Sequence, residues 1–153
     1  MMVDVDDFVD KPLEGGPRID DCIVLCIDID ETAYTNVPHL VTHHSPDGFG
    51  WGYGGSGAAD LALNIAEWWV SHYFIGERRL LRKACWRGTC WVLAWMLHQQ
   101  IKWAFISPIH VPRDDRHNHP IPMAHLIPMS SIDKFSRDWI QSNRSAGDIY
   151  YEL

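Results

Sequence analysis

The residues best suited to chemistry lie together at 43–57, His-His-Ser-Pro-Asp-Gly-Phe-Gly-Trp-Gly-Tyr-Gly-Gly-Ser-Gly. Six glycines fall between Gly48 and Gly57, interleaved with Phe49, Trp51 and Tyr53. Glycine lacks a Cβ, so its backbone tolerates positive φ and can approach a ligand or a neighbour closely. The run leads straight into a helical pattern, and the start of a helix offers free N–H groups and the positive end of the dipole. That combination suits an anion. A nucleotide-like ligand would then be cradled by Gly54, Gly55, Ser56 and Gly57, with Trp51 and Tyr53 holding a base. His44 would lie alongside, and Arg78 and Arg82 would supply charge from the next helical segment. The alternative is architectural: a tight turn that lets the helix pack on a sheet, with Trp51 and Tyr53 in the core. Asp60, in the first turn of the expected helix, counts against an anion because it already offsets the N-terminus. The segment has neither the Lys-Ser/Thr of a phosphate-binding P-loop nor a dinucleotide fingerprint.

Other reactive side chains form weaker sets. His110, His117 and His119, with Asp114 and Asp115, can gather a divalent metal or simply be a solvated loop. Their spacing matches no regular site, so no metal is expected. Asp28 and Asp30 share one strand face beside Glu31, but lack a defined third ligand. No Ser/His/Asp or Cys/His set can be picked out, and Ser56 in Gly-Gly-Ser-Gly-Ala lacks the G-x-S-x-G spacing of a nucleophile elbow. The four cysteines, Cys22, Cys26, Cys85 and Cys90, have no zinc spacing and lie in apolar surroundings. Reduced thiols and a cytoplasmic setting are expected. The sequence thus names no catalytic residue and no cofactor.

The elements that must position these residues read as follows. Residues 22–27 (Cys-Ile-Val-Leu-Cys-Ile) form a short strand, and residues 38–43 and 49–53 give further strand candidates for a small antiparallel meander. Over residues 58–75, Leu61, Ile65, Trp68/Trp69 and His72/Tyr73 recur with helical period; Ser56 or Gly57 caps the start and Gly76 the end. A second helical region spans residues 77–106. It is basic at first (Arg78, Arg79, Arg82, Lys83, Arg87) and then apolar, and Gly88-Thr89 can split it. Five prolines within residues 107–129 make an irregular connector. A last helix, about 131–142, places Ile132, Phe135, Trp139 and Ile140 on one face.

A length of 153 residues fits one domain, residues 21–142, between an acidic arm at 1–20 and a tail at 143–153. The expected class is α+β: a small antiparallel sheet in the N-terminal half, packed against two or three helices. The net charge of −7 is unevenly spread, since the first 31 residues hold ten of the 20 acids and two of the 13 bases. Ten acids against eleven bases remain elsewhere, which argues against general nucleic-acid binding. The basic run at 78–87 reads as a solvated face, or as a partner for the acidic arm or an acidic ligand. Eight tryptophans imply a thick aromatic core or a sticky surface. The start is too acidic for a signal peptide, and the longest apolar run, residues 90–97, is too short for a bilayer.

The segment His44-Ser45-Pro46-Asp47-Gly48-Phe49-Gly50-Trp51-Gly52-Tyr53-Gly54-Gly55-Ser56-Gly57, followed by Asp60-Leu61-Ala62-Leu63-Asn64-Ile65, resembles the signature HSPxGFxWGYGGSGPxxLALxIL. That signature marks an uncharacterised family of small proteins of bacteriophages, prophages, plasmids and their bacterial hosts. Weaker similarity continues over residues 98–106 and between Leu126 and Ile140. Ala58 replaces the usual proline, and the connector at 107–129 and the acidic arm are particular to this chain. The resemblance implies a mobile-element origin and no defined chemistry.

The expected function is therefore binding rather than catalysis. The protein would be an accessory protein of a phage or other mobile element that engages a host defence or regulatory protein, or a small nucleotide signal, in the bacterial cytoplasm. The alternatives are a small nucleotide or phosphodiester hydrolase using the Gly-rich loop, and an assembly module that forms homo-oligomers through exposed tryptophans.

Overall fold

The run Cys-Ile-Val-Leu-Cys-Ile gives the central strand β1 (Cys22–Ile27), and its four middle residues are buried. A strand buried on both faces reads as a continuous apolar run, as this one does. The computed structural model describes residues 21–45, 48–70 and 89–143. The acidic arm, the basic cluster with Arg78 and Arg82, and residues 144–153 lie outside the described residues.

β2 (Ala33–Thr35) pairs antiparallel with one edge of β1, with Leu25 opposite Thr35 and Ile27 opposite Ala33. β3 (Met123–Pro128) pairs antiparallel with the other edge, from Cys22 opposite Pro128 to Ile27 opposite Met123. The sheet order is β2-β1-β3. With the three helices among the described residues, this is the α+β fold expected. Its composition differs from the meander expected of residues 38–43 and 49–53, which form no strand. The third strand comes instead from the proline-rich connector, whose Pro112 and Pro120 flank a short turn closed by an Arg113–Pro120 bridge. Alternation in Met-Ala-His-Leu-Ile-Pro is masked by the flanking prolines, and only pairing with β1 makes it a strand.

Helix α1 (Ser56–Trp69) is buried at twelve of its fourteen positions. Leu61, Leu63, Ile65 and Trp69 are each at most 1% exposed. A helix apolar on all sides belongs in the middle of a fold. α2 (Thr89–Ile101) packs along it through Leu93, Leu97 and Ile101, then widens into a π-helical segment, Lys102–Ile106. The wider turn is visible in the Ser107 N–H, which donates to the Lys102 carbonyl at 2.8 Å, five residues back. α3 (Met129–Ser142) closes the core with Met129, Ile132 and Ile140. It is tied to α1 by the Trp69 indole N–H, which donates to Asp133 at 2.9 Å. Among the described residues no helix is long and apolar enough to cross a membrane.

Candidate functional site

Two fully buried polar residues interrupt the apolar surface of α1, Asp60 and Asn64, each 0% exposed. They lie one helical turn apart and face the irregular segment 39–45. The Asp60 carboxylate accepts the main-chain N–H of His44 and of Ser45 at 2.8 Å each, and that of His43 at 3.3 Å. Asn64 accepts from the N–H of Leu40 and Val41 at 2.6 and 2.8 Å and returns its own N–H to the Val41 carbonyl at 2.8 Å. A buried carboxylate is tolerated when several donors replace water, and bonds to a charged acceptor are the stronger kind. Asp60 is therefore not a first-turn residue offsetting the dipole. The helix begins at Ser56, and Asp60 stands a turn further in, as the strap that fixes His43 and His44.

His43 and His44 meet α2. The His44 ring stacks on Trp95 at 5.7 Å and on His98 at 5.5 Å, and His43 meets both His44 and Trp95 edge-on, at 4.6 and 4.7 Å. His98 is 2% exposed. Its Nδ1–H donates to the Trp95 carbonyl at 2.5 Å, and its Nε2 accepts from the Gln99 amide at 2.9 Å. Since a carbonyl can only accept, this assigns the tautomer and a neutral ring. Burial pushes the His98 pKa below the usual histidine value; the Trp95 carbonyl opposes this, and His44, His43 and Lys102 reinforce it. The chain continues from the Gln99 carbonyl oxygen to the Lys102 ammonium at 3.5 Å. Lys102 is 6% exposed and lies 4.5 Å from the centre of the Trp103 ring. His44 Nε2 is buried without a hydrogen-bond partner.

The Gly-rich run joins this chain at Trp103. A Cβ on Gly54 would fall 2.8 Å from the Trp103 ring, so only glycine lets that ring lie against the turn. Gly52 has φ +77°, and its N–H donates to the Ile106 carbonyl at 3.0 Å, pinning the run to the end of the π-helical segment. The Tyr53 ring folds back over Gly50, Gly55 and Gly57. The cap of α1 is Gly55 in extended conformation, without a side-chain cap bond, rather than Ser56 or Gly57. Ser56 is the first helical residue and is exposed.

The residues singled out from the sequence are thus distributed unevenly. His44 and Gly54 reach one continuous line of contacts through Trp103, Lys102, Gln99, His98 and Trp95, and Tyr53 folds over the glycines on either side of Gly54. Trp51 is in the core at 5% exposure, and the indole beside Gly54 is that of Trp103. Arg78 and Arg82 lie outside the described residues. Sequence reasoning missed Trp95, His98, Lys102 and Trp103. The signal available was Trp95 and Trp103 eight residues apart, on a segment already rich in buried apolar residues. Two large aromatic side chains of this line remain exposed, Trp95 at 38% and Trp103 at 60%, as does Tyr53 of the Gly-rich run at 51%.

The other candidates resolve into local structure. Asp28 and Asp30 accept the N–H groups of Ile29 and Thr32 in the β1–β2 turn, where Glu31 takes φ +67°. Asp114 accepts from Arg116 and His117 in the turn after Arg113. His119 Nδ1 lies 2.7 Å from Glu31, both side chains about half exposed, so the two turns are pinned together. Among the described residues no three His, Cys, Asp or Glu side chains gather as a metal set.

No curated protein and no solved structure matches the chain. Residues 15–73, which hold β1, β2, the Gly-rich run and α1, match the model of a family described as Family of unknown function (DUF6166), so over this part, less than half of the whole, the chain is similar to that family.

Proposed function

We propose that the protein acts by binding rather than catalysis, as an accessory protein of a phage or other mobile element, and that its partner is a host protein seated on the face made by Tyr53, Trp95 and Trp103. The mobile-element origin rests on the signature of residues 44–65. The single observation that carries the binding reading is the exposure of these three rings, at 38–60%, on a scaffold held from below by buried hydrogen bonds. Exposed large aromatics cost solubility, and Trp and Tyr supply most of the energy where proteins meet. Asp60, Asn64 and His98 fix the backbone and rings beneath them, so little ordering is left for the binding step. The test is capture from host lysate. The wild-type chain is expected to retain one partner that Trp103→Ala and Trp95→Ala lose while keeping wild-type circular dichroism. Equal capture by all three overturns the reading.

One observation favours a small nucleotide-like anion as the second reading. The Lys102 ammonium is buried with Gln99 and the Trp103 ring as its neighbours and no carboxylate among the described residues. A cation beside an exposed indole and a glycine turn suits a phosphate attached to a base. Calorimetric titration with nucleotides and cyclic dinucleotides separates the two: heat lost in Trp103→Ala and Lys102→Gln supports the ligand, and no heat with the wild type leaves the protein partner.

A further inference from the structure

The outer edge of β3 carries main-chain groups that nothing among the described residues uses. The Met129 N–H donates to the Asp21 carbonyl, whereas the Val24 N–H and the Cys22 carbonyl turn the other way, to Asn36. With the observed register, Ile23–Ile127, Leu25–His125 and Ile27–Met123 are then the hydrogen-bonded pairs of an antiparallel ladder. Ala124 and Leu126 between them must point their N–H and C=O away from β1. Both residues are exposed, and no hydrogen bond reaches their outward groups among the described residues. Pro128 takes the next outward position, where it forfeits no donor to the sheet.

A cleft of about 300 Å³ lies beside the second half of this strand, from His125 to Pro128. Consecutive residues from His125 to Pro128 line it although their side chains alternate in direction, so it follows the strand's backbone; Phe105, Pro108 and Ile109 form much of the opposite wall. None of its lining residues is Asp, Glu, Lys or Arg. Edge strands are commonly blunted by charge or proline; here the prolines stand only at the two ends, Pro122 and Pro128, and no charged residue lies between them. A free ladder edge facing an uncharged, mainly apolar trough recognises one chemistry: an extended backbone with short uncharged side chains.

We propose that the outer edge of β3 takes an extended, uncharged peptide segment of a partner as a fourth strand, hydrogen-bonded to Ala124 and Leu126, with alternate side chains in the cleft against Phe105 and Pro108. This surface shares no residue with the aromatic face and stands or falls separately from it.

The experiment uses the whole chain, labelled with nitrogen-15, and an acetylated, amidated octapeptide of alternating Val and Thr. Two further octapeptides carry N-methyl groups on one or the other alternate set of amides. The unmodified peptide is expected to bind and to protect the Ala124 and Leu126 amides from exchange. One methylated peptide should lose roughly tenfold in affinity, as two lost hydrogen bonds imply, and the other should stay within about threefold. Because the change is made in the peptide, the fold is not at risk. Absence of binding, equal affinity of all three peptides, or protection elsewhere than Ala124 and Leu126 overturns the proposal. So does sedimentation showing that the chain pairs with itself through this edge.

Discussion

Asp60 concentrates more of the site's order than any other residue, because one carboxylate holds three consecutive main-chain N–H groups in the interior. Asp60→Ala leaves those donors unpaired, that of Ser45 in the interior, at about 1–3 kcal/mol for each that finds no water. Asp60→Asn keeps an acceptor oxygen and should lose less. Urea unfolding of the two variants measures the difference, and equal losses would mean that charge rather than acceptor geometry matters. His98 gives the second prediction. Its pKa is lowered in the folded chain, chiefly by burial, so the unfolded chain takes up the proton first. Stability should therefore be constant above the ordinary histidine value, about 6.5, and fall as pH drops below it towards the lowered folded value. Unfolding free energies at pH 7.5 and at pH 5.5 test this, and His98→Gln should flatten that part of the profile.

At the scale of elements, the Gly-rich run and the π-helical segment form one unit, and two glycines in it do different work. A Cβ on Gly52 meets Val111 at 2.7 Å and the Ile109 carbonyl at 2.8 Å, with φ at +77°. Gly52→Ala should cost about 1–3 kcal/mol, since neither the backbone conformation nor the carbonyl can yield cheaply. A Cβ on Gly54 meets only the exposed ring of Trp103, which can swing out. Gly54→Ala is expected to leave thermal stability closer to wild type yet weaken partner capture as Trp103→Ala does. If Gly54→Ala destabilises more than Gly52→Ala, the ring is anchored more firmly than its exposure implies. In α1, Ile65→Ala should cost about 2–5 kcal/mol, because the side chain is 1% exposed and well packed.

At the scale of the molecule, the sheet joins distant parts of the chain. β1 has β3, some hundred residues later, as its longer partner, and α1 is covered by α2 and tied to α3. The stretch 15–73 that matches a family holds β1, β2 and α1 but none of β3, α2 or α3. A fragment limited to those residues leaves Ile23, Leu61 and Trp69 without their covering side chains. It is expected to show no cooperative thermal transition by circular dichroism, whereas the full chain shows one. A sharp melt of the fragment would mean that the later elements are additions to a self-sufficient core.

Local pattern determined what depends on neighbours in sequence. The apolar run at 22–27 is β1. The glycines do lead into a helix, and Leu61, Ile65 and Trp69 fall where the helical period places them. Ile132 and Ile140 face inward from α3, with Phe135 and Trp139 partly buried beside them. These were legible because backbone propensity and side-chain period act over a few residues. The rest depends on who packs against whom. Residues 38–43 read as a strand candidate, but the N–H groups of Leu40 and Val41 are taken by Asn64 and that of His43 by Asp60, and no ladder forms. Met123–Pro128 reads as a broken connector until β1 supplies its partner. Trp51 and Trp103 are the same residue type on either side of one turn; only the tertiary structure decides that the first is core and the second is surface. The same holds for His44, whose neighbours Trp95 and His98 come from an element some fifty residues away. A polar residue on an apolar helix announces a partner, but the chain segment that becomes the partner is chosen by packing.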